Sequence, residues 1–204
     1  MRIILFLDFD LVLNNTFWAD RPEHPSIQEV FAAQRGGQGI TAEFLSKLFD
    51  PYNALVLKLI LENRPEIKVI LSTSWRSQVP LEVIRKMFQI QNIPWQVIGQ
   101  TLSGLVDTDR AKEILSWIVS SAMESDLYII LDDLELKLPE SDRILHIKTD
   151  PQFGLKNIHA ARIFKWLEKK VEISSATFDD LAYLSDRHLQ LLITSCTRDM
   201  WMMA

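Results

Sequence analysis

The chain has 204 residues, of which 48% are hydrophobic, and this is enough for one domain with a substantial core. A formal charge of -5 and a pI near 5.4 argue against a broad nucleic-acid-binding surface and leave room only for a nucleic-acid end in a small pocket. The single cysteine excludes an internal disulfide framework and indicates a reducing compartment. No segment approaches membrane-spanning length, so we predict a cytoplasmic protein without a membrane partner.

The first predicted element is a buried strand that ends in two aspartates. Residues 3–7 are a continuous apolar run, which is typical of a parallel strand covered on both faces. Asp8 and Asp10 follow it, and alternation along the chain turns both carboxylates to the same side. Open α/β sheets bind ligands beyond the carboxyl ends of their strands, and a carboxylate pair there needs a compensating cation or substrate. The pair therefore predicts a metal-assisted nucleophile.

Strands alternate with helices along the rest of the chain. After a loop at residues 11–25, short helices are expected at 26–33 and 44–49, and Asp50 and Pro51 open a longer one that reaches Asn63. The later strands are expected at residues 67–71, 95–98, 127–131 and 144–147. Later helices are expected at residues 80–89 and 155–170. Another helix is expected to begin after Asp109, with an apolar face formed by Ile114, Leu115, Ile118 and Val119. This alternation predicts an α/β fold with a doubly wound parallel sheet and right-handed crossovers.

Polar residues gather at three of the predicted strand ends. They are Asp8 with Asp10, then Ser72 with Thr73 and Ser74, and finally Asp132 with Asp133. Lys112 supplies a cation in the first turn of a helix between the second and third of these groups. Because parallel strands end at the same edge of a sheet, the groups are expected to converge.

In this order the groups resemble the four motifs of the haloacid dehalogenase-like (HAD) hydrolase superfamily. Residues 5–13 look like its first motif, an apolar strand followed by Asp-x-Asp, and residues 69–72 look like its second. Lys112 stands where the lysine of the third motif belongs, and residues 131–133 look like the fourth. One residue departs from the pattern: Leu11 stands where a glycine is usual, so the resemblance leaves the shape of this turn open.

A narrower resemblance is to the HAD-type domain associated with Swiss-Army-knife RNA repair proteins. Its hallmarks are similar to residues 71–76, 110–114 with Trp117, 131–133, and Thr149-Asp150-Pro151 through Gly154-Leu155. The likeness implies a Rossmannoid three-layer sandwich with a central parallel five-stranded sheet. It places a HAD-like domain at residues 1–170, with a minimal cap from residues 14–65, and leaves 171–204 as a C-terminal helical extension. Without a large cap, the site is expected to be open.

The resemblance implies a Mg²⁺-dependent phosphomonoester hydrolase, and the chemistry of phosphoryl transfer supports the same roles. Asp8 is expected to attack phosphorus and form an aspartyl-phosphate, and Asp10 to protonate the leaving oxygen and later deprotonate water. The metal is expected on Asp8, the Asp10 carbonyl and Asp132. Asp133 is expected either to contact the metal or its water, or to cap the following turn.

Four residues are expected to bind the substrate phosphate. Ser72 is the preferred hydroxyl, with Thr73 as the alternative if the motif slips by one residue. Lys112 is expected to neutralise the intermediate, although Arg110 and Lys156 compete for that role. Arg76 is expected either to contact phosphate or to be solvated at a helix start.

Three questions stay open at the level of sequence. The substrate is expected to be either a phosphorylated small molecule or a nucleic-acid end. A catalytically inactive HAD-fold module that binds phosphate or a partner is the alternative function, supported by Leu11 and the apolar C-terminal tail. A nucleotide-sugar transferase reading of Asp8-Phe9-Asp10 leaves Lys112 and the fourth motif unexplained. The sequence predicts no oligomeric state.

Overall fold

Five parallel strands form the central sheet. The computed structural model describes residues 1–21, 41–102, 109–121 and 126–170, and the chain divides into two units, Met1–Ile163 and Phe164–Ala204. The strands are β1 (Ile3–Leu7), β2 (Ile67–Leu71), β3 (Val97–Gln100), β4 (Leu127–Asp132) and β5 (Ile144–Lys148). They lie in the order β3-β2-β1-β4-β5. This confirms the predicted α/β fold with a parallel five-stranded sheet.

The central strand β1 is buried along its whole length because it pairs with a neighbour on each side. Its register aligns Leu7 with Leu71 of β2 and with Leu131 of β4. None of its five residues is more than 2% exposed. Continuous apolar runs are what a strand covered on both faces requires, so the pattern of residues 3–7 predicts this position correctly.

Side chains cap the first turns of several of the described helices. They are α1 (Thr16–Ala19), α2 (Ala42–Ser46), α3 (Pro51–Asn63), α4 (Leu81–Ile90), α5 (Arg110–Ser121) and α6 (Asn157–Lys170), with a 3₁₀ turn at Ser74–Ser77. Asp50 accepts a hydrogen bond from Tyr52 N, as its predicted capping role requires, and Pro51 is the first residue of α3. No helix within the described ranges is both long and apolar enough to cross a membrane.

Three elements differ clearly from the sequence predictions. Helix α2 covers Ala42–Ser46, whereas the sequence predicted a helix at 44–49. Strand β3 begins at Val97 and ends at Gln100, two residues beyond the expected 95–98, because its pairing with β2 starts at Val97. Val119 was expected on the apolar face of α5 but is 85% exposed, whereas Ile118 packs against the core as predicted and Trp117 packs there as well. The helix expected at 26–33, the extension at 171–204 and the position of Asp107 lie outside the described residues.

The turn after β1 places Leu11, which stands where the first motif usually has a glycine, in a left-handed backbone conformation. Leu11 has a φ of 58°, in the left-handed region that favours glycine. Its backbone N–H donates to the Asn14 side chain over 2.6 Å, and its carbonyl accepts from the Thr149 hydroxyl over 2.9 Å. The backbone of Val12 and Leu13 closes the turn with hydrogen bonds to the Phe9 carbonyl. Local hydrogen bonds therefore hold a leucine in a strained conformation.

We expect the usual order of alanine and glycine to reverse at Leu11. A residue with a Cβ atom in the left-handed region costs about 1–2 kcal/mol, which glycine avoids. Leu11→Gly should therefore be about 1 kcal/mol more stable than Leu11→Ala, measured as the free energy of unfolding in denaturant. At Lys86, an exposed position inside α4, Lys86→Gly should instead be about 1 kcal/mol less stable than Lys86→Ala. The same order at both positions would contradict the strain.

Candidate active site

The candidate site lies at the carboxyl end of β1, where the chain order of the sheet switches. β2 lies on one side of β1, and β4, later in the chain, lies on the other. The backbone pairing continues past the strand end, with Asp8 N donating to the Leu131 carbonyl over 3.0 Å and Ser72 N donating to the Leu7 carbonyl over 2.9 Å. Such switch points are where open α/β sheets bind ligands. The first, second and fourth motifs meet here as the sequence predicts.

Three carboxylates converge at this edge of the sheet. Asp8, Asp132 and Asp133 each offer an oxygen, and these oxygens lie within 4.8 Å of one another. Asp8 is 3% exposed and Asp132 is 1% exposed. Oδ2 of Asp132 is buried and accepts no hydrogen bond within the part of the chain that the structure describes. Buried carboxylates with spare oxygen atoms fit a hard divalent cation, which prefers oxygen ligands.

Burial disfavours the charged forms of these acids. It raises the pKa of Asp8 to about 7, and the neighbouring Asp132 and Asp10 carboxylates add to the rise while Arg110 opposes it. Burial also raises the pKa of Asp132 to about 6, against a hydrogen bond from Leu134 N and the charge of Arg110. Burial likewise raises the pKa of Asp133. A bound cation would favour the ionised carboxylates and so lower all three pKa values.

Arg110 supplies the positive charge in the site. Its Nη2 lies 3.6 Å from Asp8 Oδ2, and its Nε lies 4.0 Å from Asp132 Oδ2. Its Nη1 is 3.5 Å from the Ser72 hydroxyl. The guanidinium therefore spans the ends of β1, β2 and β4.

The structure does not bring Lys112 to Asp8. The Lys112 side chain is 69% exposed, and its ammonium lies 3.7 Å from Asp109. Two residues along a helix correspond to a rotation of about 200°, so Arg110 and Lys112 project from nearly opposite faces of α5. The phase of α5 turns Arg110 inward. Lys156, the other competitor named from sequence, lies 3.9 Å from the centre of the Phe153 ring.

The two candidate hydroxyls of the second motif have different surroundings. Ser72 is 1% exposed and points its hydroxyl toward Arg110. Thr73 caps the 3₁₀ turn, because its Oγ1 accepts a hydrogen bond from Trp75 N. The structure therefore places Ser72, rather than Thr73, beside the charged groups.

Arg76 is taken up by contacts within the protein. Its Nη2 lies 2.6 Å from Glu113 Oε2, and the two side chains are 5% and 3% exposed. Its Nε donates to the Thr101 carbonyl over 3.1 Å, and Nη1 donates to the Thr73 carbonyl. The guanidinium thus ties the ends of β2 and β3 to α5 instead of facing an open site.

Asp10 is held by three side-chain donors. Oδ1 accepts from Trp75 Nε1 over 2.9 Å and from Asn14 Nδ2 over 3.1 Å, and Oδ2 accepts from Ser74 Oγ over 3.0 Å. The Asp10 side chain is not part of the cluster of three carboxylates. Sequence reasoning singled out neither Trp75 nor Asn14 for the site. Trp75 was visible only as part of the segment 71–76.

A loop after β5 supports the turn that carries Asp10. Leu155 N donates to the Val12 carbonyl over 2.9 Å. Gly154 has a φ of 64°, and a Cβ atom there would lie 2.6 Å from Asn53 Oδ1 and 2.7 Å from the Val12 carbonyl oxygen. Asn53 Nδ2 in turn donates to the Leu155 carbonyl over 2.6 Å. The positive φ and the close approach of Asn53 and Val12 therefore require a glycine at position 154.

The expectation of an open site depends on residues 14–65. Residues 22–40 lie outside the described part of the chain, so the openness of the site stays a prediction. Asp8 is buried, whereas Asp10 is partly exposed.

Comparison with solved structures finds the HAD domain of the effector protein Lem4 from Legionella pneumophila. It is 12% identical to this chain, covers 83% of it and 96% of its own length, and has a TM-score of 0.44. An inactive mutant of the same domain is 11% identical, covers 83% of this chain and 94% of its own length, and has a TM-score of 0.45. No curated protein matches the chain.

The family described as "HAD domain in Swiss Army Knife RNA repair proteins" matches residues 4–160. This match covers well over half of the chain and includes all four motifs. It confirms the resemblance drawn from those motifs. The chain belongs to the family of HAD domains found in Swiss Army Knife RNA repair proteins.

Proposed function

We propose that this protein is a Mg²⁺-dependent phosphomonoesterase that uses Asp8 as its nucleophile. The observation that carries the proposal is the setting of the Asp8 carboxylate: 3% exposed, 3.6 Å from Arg110 and in one cluster with Asp132 and Asp133. A buried acid with a raised pKa, a cation beside it and a second acid two residues away is the arrangement that covalent phosphoryl transfer uses.

The reaction proceeds in two displacements. Asp8 attacks phosphorus and forms an aspartyl-phosphate while the bond to the leaving oxygen breaks, and Asp10 gives that oxygen a proton. Asp10 then takes a proton from water, which attacks phosphorus and releases phosphate from Asp8. Arg110 and the Ser72 hydroxyl hold the phosphoryl oxygens. Ser72 has the role predicted from the sequence, and Arg110 takes the role that the sequence assigned to Lys112.

Mg²⁺ fits the donor set of this site. Asp8, Asp132 and Asp133 would hold it through their carboxylates, together with the backbone carbonyl of Asp10. When bound, the cation offsets the repulsion between the Asp8 carboxylate and the phosphate.

A terminal phosphate on a nucleic acid is the proposed substrate class, because the family description refers to RNA repair proteins. A phosphorylated small molecule is the second candidate, favoured by the charge of -5. Leu11 was one argument for the alternative function, an inactive binding module. This argument is weakened because Leu11 adopts the left-handed conformation that a glycine would take.

Asp8→Asn should abolish phosphate release. The amide cannot form the covalent intermediate, so we expect a loss of more than about 10³-fold in kcat. Phosphate release would be measured with Mg²⁺ on aryl phosphates, nucleotides, sugar phosphates and phosphate-ended oligonucleotides. Glu62→Gln, on the exposed side of α3, is the control and should keep full activity. Hydrolysis that survives in Asp8→Asn would refute the mechanism, and absence of hydrolysis in folded wild type on every substrate would favour the binding module.

Arg110→Gln and Lys112→Gln should differ strongly in activity. Removal of the guanidinium leaves the phosphoryl oxygens without their cation, and a loss of about 10²–10³-fold in kcat is expected. Lys112 is exposed and pairs with Asp109, so its substitution should change kcat by less than about twofold. Steady-state kinetics on the preferred substrate would compare the two. The opposite ranking would return the role to Lys112.

The contribution of Asp8 and Asp132 to the stability of the metal-free protein should fall as pH rises from about 4 to about 7. Folding raises the pKa of Asp8 to about 7 and that of Asp132 to about 6, so the native state binds more protons than the unfolded state within this window. Asp8→Asn removes the part of this destabilisation that comes from ionising the buried Asp8 carboxyl. With chelator, the gain in Tm of Asp8→Asn over wild type should therefore grow with pH.

Mg²⁺ should reverse this difference near pH 8, because the cation favours the ionised carboxylates. We expect Mg²⁺ to raise the Tm of wild type and of Glu62→Gln more than that of Asp8→Asn or Asp132→Asn. Calorimetric melting with chelator and with Mg²⁺ would measure these shifts. Equal shifts in all four proteins would rule out a cation at the Asp8 cluster.

A further inference from the structure

We propose that Trp75 is a positioning residue for Asp10, and that its indole N–H fixes the carboxylate so that Oδ2 is the oxygen that delivers the proton. This inference rests on the proposed function, in which Asp10 protonates the leaving oxygen. It goes beyond that function because it assigns different tasks to the two oxygens of Asp10 and gives an aromatic residue in the turn after β2 a part in the reaction.

The two oxygens of Asp10 have chemically different partners. Oδ1 faces Trp75 Nε1 at 2.9 Å, and an indole N–H can only donate. It also faces the Asn14 amide nitrogen at 3.1 Å, and the orientation of that amide is defined because its oxygen accepts from Leu11 N over 2.6 Å. With two partners that can only donate, Oδ1 has no acceptor for a proton of its own.

Oδ2 faces a partner that can serve in either direction. The Ser74 hydroxyl lies 3.0 Å away and can donate to a carboxylate or accept from a carboxylic acid. Ser74 is also exposed, so Oδ2 lies beside a solvent-accessible side chain, whereas Oδ1 faces the buried Trp75. When Asp10 is protonated, the proton therefore resides on Oδ2.

The proton moves at one atom throughout the cycle. In the first displacement, the O–H bond at Oδ2 breaks and the leaving oxygen takes the proton as its bond to phosphorus breaks. In the second, Oδ2 takes a proton from the attacking water. Oδ1 keeps its hydrogen bonds to Trp75 and Asn14 in both steps.

Trp75 is itself rigid, which is what a positioning group requires. Its side chain is 1% exposed. The ring packs edge-on against Phe9 at 5.5 Å between ring centres and lies 5.9 Å from Phe49. Its backbone is held in the 3₁₀ turn that Thr73 caps. The turn after β2 therefore sets the direction of an acid that belongs to the turn after β1.

The test is the dependence of the Trp75→Phe effect on the leaving group. Phenylalanine keeps an aromatic ring against Phe9 and Phe49 but removes the N–H. Alkyl phosphates need a proton on the leaving oxygen, so a misdirected acid should lower kcat/KM, which reports the first displacement, by about 10²-fold. p-Nitrophenyl phosphate releases a stabilised phenolate that needs no proton, so its kcat/KM should fall by no more than about threefold. A loss of equal size on both substrates, or no loss on either, would overturn the proposal.

Trp95→Phe is the matched control. Trp95 packs edge-on against Phe88 at 5.5 Å, so this variant makes the same chemical change outside the site. It should leave both rates unchanged.

A double variant separates positioning from general damage to the fold. In the Asp10→Asn background the proton donor is gone, so adding Trp75→Phe should cause no further loss on alkyl phosphates. Additive losses would overturn the proposal. Hydrolysis that is independent of Asp8 would refute the proposed function, whereas Asp8-dependent hydrolysis that is insensitive to Trp75→Phe would refute only this inference.

A measurement with Trp75 intact covers the case in which Trp75→Phe does not fold. The indole N–H of Trp75 should exchange slowly with solvent in wild type and markedly faster in Asp10→Ala, as measured by NMR. The Trp95 indole should exchange at the same rate in both proteins. If the Trp75 indole N–H exchanged at the same rate in Asp10→Ala as in wild type, its contact with Asp10 would not be a stable hydrogen bond. That result would overturn the proposal.

Discussion

The burial of one carboxylate is the constraint on which the rest of the site depends. Asp8 directly follows a strand that is covered on both faces and paired on both edges, so its side chain leaves water when the sheet forms. A buried charge must be compensated or neutralised. Here burial raises the pKa of Asp8 to about 7 in the absence of a cation, with Arg110 as the opposing charge. The same burial would be compensated by the divalent cation that we propose for this site.

The two acids of the first motif obtain different surroundings from positions only two residues apart. Asp8 accepts a hydrogen bond from Phe9 N over 2.7 Å and otherwise faces Arg110 and the other acids. Asp10 lies beyond the strand, in the partly exposed turn, where Trp75, Asn14 and Ser74 donate to it. One acid is thus left available to phosphorus and cation, while the other is oriented. Distinct environments for neighbouring carboxylates are a common way to separate their roles in catalysis.

The turn that follows these acids is held from outside the first motif. Leu11 adopts a conformation that costs a residue with a side chain about 1–2 kcal/mol. The Thr149 hydroxyl and the Asn14 side chain bond the carbonyl and the N–H of this residue. Strain of this kind persists only where surrounding contacts determine the backbone. The loop after β5 and the turn after β1 therefore act as one support for Asp10.

The sequence by itself determined the α/β class, the five strands and the meeting of Asp8, Ser72 and Asp132, because apolar runs mark buried strands and parallel strands end at one edge. It assigned the cation of the site to Lys112, whereas the structure places Arg110 beside Asp8; both lie in the first turn of one helix, and only the packing of α5 selects the inward face. It preferred Ser72 to Thr73, and only the structure shows the different surroundings of the two hydroxyls. The pairing of Arg76 with Glu113 was not visible in the sequence. The contacts of Asp10 with Trp75 and Asn14 also came only from tertiary structure. Side-chain partners depend on helix phase and on contacts between segments far apart in the chain, and periodicity within a segment carries no information about either.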